Sequence, residues 1–75
     1  MQYITRQMVA EIINGFKEPF DAHAIEKKVL RLHPIEFAKD LLRYQGSDDP
    51  LRQFSAAFAK WVELNLAKQR SAVAV

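Results

Sequence analysis

The sequence predicts an all-α domain, a compact bundle of four helices in which the second and third are joined at a proline break and the last is longest. Two observations carry that prediction. Apolar residues recur at three- and four-residue spacing in four separate stretches of the 75 residues. Start and stop signals stand between those stretches, at Thr5, Asn14-Gly15, Asp21, His33-Pro34, Gly46 and Pro50.

Met1 to Ile4 are expected to be loose. Thr5 is the N-cap of a first helix over 6–14, with Met8, Val9, Ile12 and Ile13 on one face. Asn14-Gly15 supplies the stop, with Gly15 expected in the left-handed position that closes many helices, so that Phe16 folds back on the helix end.

The second helix, over 22–32, opens on Asp21 as N-cap, and Phe20 before it is placed to pack on Ile25 as a hydrophobic staple. Ile25, Val29 and Leu32 make an apolar stripe widened by Leu30, while Lys27, Lys28 and Arg31 gather on the other side. Pro34 cannot continue that helix, because its ring would clash with the Leu30 carbonyl. A break makes His33 the N-cap of a third helix over 34–45, with Pro34 at its favoured first position and Leu32 placed to staple onto Phe37. On that helix Ile35, Ala38, Leu41 and Leu42 are expected to be buried, with Phe37 and Tyr44 further round, and Glu36, Lys39, Asp40 and Arg43 form the outer face.

Gly46 ends the third helix, and Ser47-Asp48-Asp49 lead into Pro50, the first residue of a fourth helix over 50–68. Such a helix is about 28 Å long. Leu51, Phe54, Phe58, Trp61 and Asn65 follow the helical spacing. The expected core is led by Val9, Ile12, Phe16, Phe20, Ile25, Val29, Leu41, Phe54, Phe58 and Trp61. Residues 1–70 are read as a single helical domain, and 71–75 as a disordered tail.

Composition bounds the function. A chain of this size buries about 60% of its unfolded surface, so its core is small. With no cysteine there is neither a disulfide framework nor a thiolate zinc site to reinforce it. An apolar content of 49%, with five Phe, two Tyr and one Trp, excludes a disordered chain. Eleven Lys and Arg nearly match nine Asp and Glu, giving a net charge of +2, less than a dedicated nucleic-acid binder usually carries. No run of about 18 apolar residues and no basic-then-apolar leader is seen, so a soluble cytoplasmic protein that does not engage a membrane is expected.

Catalytic chemistry finds little to work with. His23 and His33 lack the spacing that puts two imidazoles on one metal, and both glycines are helix stops, so no phosphate loop exists. The carboxylate pairs Glu36/Asp40 and Asp48/Asp49 are read as a solvated face and a helix start. No catalytic residue, metal ligand, cofactor or small-molecule substrate is assigned, and the chain is read as a non-enzyme.

Two candidate surfaces remain. Lys27, Lys28 and Arg31 could meet phosphates or an acidic partner, and two short helices around a turn resemble a helix-turn-helix. The positions that would read bases, however, are Pro34, Ile35, Glu36 and Phe37, without Arg, Asn or Gln. The other candidate is an apolar interface at Tyr44, Phe54, Phe58 and Trp61, since four broad apolar faces exceed what one small core hides.

The string Phe20-Asp21-x-His23-x-Ile25, followed by Leu30 and by Phe37-x-x-x-Leu41-Leu42, resembles a pattern of small uncharacterised bacterial helical proteins. It covers about a third of the chain. That resemblance implies a helical fold and no activity. The leading expectation is therefore a helical interaction module that self-associates through the last helix or binds a protein partner; the alternative is a nucleic-acid-binding regulator using the basic face.

Overall fold

A computed structural model of the chain describes residues 1–66 and 73–74. Four helices form the bundle: α1 Arg6–Gly15, α2 Ala22–Leu32, α3 Pro34–Leu41 and α4 Pro50–Leu66, the longest with 17 residues. One 3-10 turn, Leu42–Tyr44, prolongs α3. Phe20–Asp21 (β1) runs parallel to Val73–Ala74 (β2), with Phe20 beside Val73 and Asp21 beside Ala74. This two-residue ladder adds no layer, and the architecture is all-α. The expected tail over 71–75 otherwise lies outside the described residues, as do positions 67 and 68 of the expected last helix.

Local chemistry sets the boundaries. The Thr5 hydroxyl accepts from the Met8 amide at 3.1 Å and the Asp21 carboxylate from the Ala24 amide at 2.9 Å, each satisfying a donor that the first helical turn leaves free. Asp49 does the same for Arg52 at 3.3 Å, just ahead of Pro50. His33 ends α2 and begins α3, and its side chain makes no cap bond.

At Gly15 the expected left-handed turn is corrected. Gly15 is the last helical residue, and the chain leaves through Phe16 in extended conformation, whose amide bonds to the Ile13 carbonyl. The Phe16 ring stacks on Phe20, with centroids 4.6 Å apart.

The core comprises Ile4, Val9, Ile12, Ile13, Phe20, Ile25, Val29, Phe37, Phe54, Phe58, Val62 and Leu66, with Phe16, Leu41, Tyr44 and Trp61 packed against it in part. An aromatic row runs through it. Phe37 meets Phe54 edge-on at 4.7 Å, Phe54 stacks with Phe58 at 6.0 Å, and Phe58 with Trp61 at 6.0 Å. Such pairs add about 0.5–1.5 kcal/mol each beyond the burial of their area.

The opening segment is not loose. Ile4 is buried; it stands just before the Thr5 cap, and Val9, also buried, stands four residues into α1, the spacing of a hydrophobic staple.

Candidate interaction surface

The site begins with the way α3 is turned. Its buried residues are Phe37 and Asp40, and the exposed ones are Pro34, Ile35, Ala38 and Lys39, followed by Leu42 in the 3-10 turn that prolongs it. The expectation that Ile35, Ala38 and Leu42 are buried beneath an outer Asp40 is corrected: the helix is rotated by about a third of a turn from that reading.

Two contacts account for the rotation. Phe37 fills space against Phe54. Asp40, at 0% exposure, holds three consecutive backbone amides of the opening segment. Its Oδ1 accepts from Gln2 at 2.8 Å and Tyr3 at 3.1 Å, and its Oδ2 accepts from Tyr3 at 3.0 Å and Ile4 at 2.7 Å. A buried carboxylate without partners would cost several kcal/mol. Here consecutive amides form a small anion-binding concavity that the protein's own carboxylate occupies. The same bonds draw Ile4 into the core and lay Tyr3 along α3, where the Lys39 ammonium sits 5.1 Å from its ring.

Rotation of α3 leaves apolar side chains in solvent. Ile35 is 63% exposed, Leu42 59% and Leu32 56%, and Leu30 on α2 is half exposed. The expected staple between Leu32 and Phe37 is therefore absent. Thr5 and Asp21 approach their helices in extended conformation, whereas His33 has φ −132° and ψ 60°, which brings the chain into α3 on a different course.

The expected interface on α4 is corrected for two of its four residues. Phe54 and Phe58 are at 0% exposure, inside the core of their own chain, so neither can meet a partner. Tyr44 and Trp61 are half-buried and line a cleft of ≈ 280 Å³ together with Arg43, Lys60 and Leu64. That volume lies just below the range of about 300–1,000 Å³ usual for small-molecule sites. The large exposed residues of α4 are Leu51 and Leu64, nearly four turns apart, which is no continuous face.

Lys27, Lys28 and Arg31 are all exposed on α2, opposite its buried Ile25 and Val29. Glu26 on the same helix is turned inward and accepts from the Ser55 hydroxyl at 2.8 Å, tying α2 to α4. Among the described residues no group of three His, Asp or Glu side chains is placed to hold a metal ion, and no helix is long and apolar enough to cross a membrane.

Comparison with protein families, with curated proteins and with solved structures matches none of them.

Proposed function

We propose that this chain is a non-enzymatic helical interaction module of the cytoplasm that docks onto protein through the apolar side chains exposed on α2 and α3. One observation carries the reading. Leu30, Leu32, Ile35 and Leu42 stand half or more in water within one short stretch, although the protein has a well-filled core elsewhere. Scattered exposed leucines are ordinary, but Ile35 and Leu42 stand seven residues apart on one outward face, and large apolar side chains aligned in that way are a feature of docking surfaces. A photo-crosslinking amino acid at Ile35, compared with one at exposed Glu63 on α4, tests it in the cell. A discrete protein adduct at position 35 and none at 63 supports the module. No adduct at position 35 rejects it.

A second reading is favoured by the charge distribution. Between residues 27 and 43 the surface charge is predominantly cationic, with Lys27, Lys28, Arg31, Lys39 and Arg43 exposed, Glu36 half-buried among them and Asp40 fully buried. A nucleic-acid contact would rest on these cations rather than on base readout, since Phe37, at a position that would face the bases, is in the core. Counterion release would then make DNA affinity fall steeply with salt. DNA binding that survives reversal of Lys27, Lys28 and Arg31 to Glu excludes α2 as its face.

A further inference from the structure

We infer that the outward face of α3 pairs with a second copy of this chain, the two helices lying antiparallel about a two-fold axis near Ala38. The inference rests on the docking role proposed above and names its occupant.

Three features of α3 support self-pairing. First, Ile35, Ala38 and Leu42 fall within about 60° of one another around the helix, an i, i+3, i+7 stripe facing solvent. In an antiparallel pair the second copy's Leu42 comes level with Ile35, and its Ile35 level with Leu42. Second, Ala38 occupies the middle of the stripe, where a small side chain lets two helix axes approach to about 8–10 Å.

Third, the charges beside the stripe are self-complementary. Glu36, Lys39 and Arg43 lie within about 60° of one another along one flank. A two-fold axis that makes the helices antiparallel brings like flank to like flank, so each contact occurs twice. With Ile35 opposite Leu42, the second copy's Glu36 reaches the level of Leu41, between Lys39 and Arg43. In a parallel pair this flank would instead meet the side bearing Pro34 and Leu41, and both cations would lack an acid. Lys39 is already steadied over Tyr3.

The rod from Pro34 to Tyr44 is about 16 Å long. It presents a smaller area than the roughly 800 Å² per partner of stable complexes, so association is reversible and grows with concentration.

The test uses sedimentation equilibrium of the full chain from about 10 µM to about 1 mM. Wild type is expected to rise toward twice the monomer mass, and Ile35→Ser with Leu42→Ser to remain monomeric with an unchanged helical circular dichroism spectrum. Glu36→Lys alone and Lys39→Glu with Arg43→Glu alone are each expected to be monomeric, because each carries one sign of charge along the flank. Mixed in equal amounts they should associate again, which a merely damaged fold could not do. A wild type that stays monomeric throughout, or a mixture that does not associate, overturns the inference. Failure of self-pairing leaves the docking role standing if the crosslink at Ile35 yields an adduct of other than twice the chain mass.

Discussion

Helices α2 and α3 adjoin at one proline and carry similar start signals, yet one faces the way its pattern predicts and the other does not. On α2 the apolar stripe expected of Ile25, Val29 and Leu32 with Leu30 is buried at Ile25 and Val29, opposite the basic Lys27, Lys28 and Arg31, whereas Leu30 and Leu32 at its end stand in solvent. On α3 two apolar sets compete: Phe37, Leu41 and Tyr44 on one side, Ile35, Ala38 and Leu42 on the other. Periodicity alone cannot rank them. A contact between residues 36 to 38 positions apart, the Asp40 carboxylate on the opening amides, selects the first set.

Substitutions separate the buried face of α3 from its exposed one. The largest effect is expected at Phe37→Ala, which removes a ring packed on Phe54 and should cost about 3–5 kcal/mol in urea denaturation. Ile35→Ala, two residues away and equally apolar, should change stability by less than about 0.5 kcal/mol. Equal losses at the two positions would mean that α3 has no preferred face.

Asp40→Ala comes next, at roughly 3 kcal/mol, because it leaves three consecutive amides without their buried acceptor. Proteolysis should then cut the opening segment at a much lower protease concentration, while α2 remains protected.

The smallest contrast concerns the helix starts. Asp21→Ala should cost about 1 kcal/mol through its lost bond to Ala24, and His33→Ala close to nothing by that route, because His33 makes no cap bond. Matched denaturation midpoints for the two variants would contradict the account of how α2 and α3 begin.

What the sequence made legible was local. Thr5, Asp21 and the proline at position 34 act on amides and carbonyls within four residues, so the four helices fall close to where their caps put them. The exposed cations of α2 were legible for the same reason. Phe54 and Phe58 looked like interface anchors because aromatic residues fill cores and interfaces alike, and only the packing of Phe37 and Trp61 around them decides between the two. Asp40 was hidden by its neighbours Lys39 and Arg43, which made it look like part of a solvated face. One signal did point the right way: the staple spacing of Phe20 and Ile25, both buried, recurs at Ile4 and Val9, and a buried Ile4 requires something to hold the residues before it.

Asp40 holds the opening segment and so orients α3. Amide hydrogen exchange at Gln2, Tyr3 and Ile4 measures this directly. Protection of all three by at least about 100-fold in wild type, lost in Asp40→Ala, is the predicted result. Exchange of all three at the rate of an unstructured peptide in the wild-type protein would contradict it.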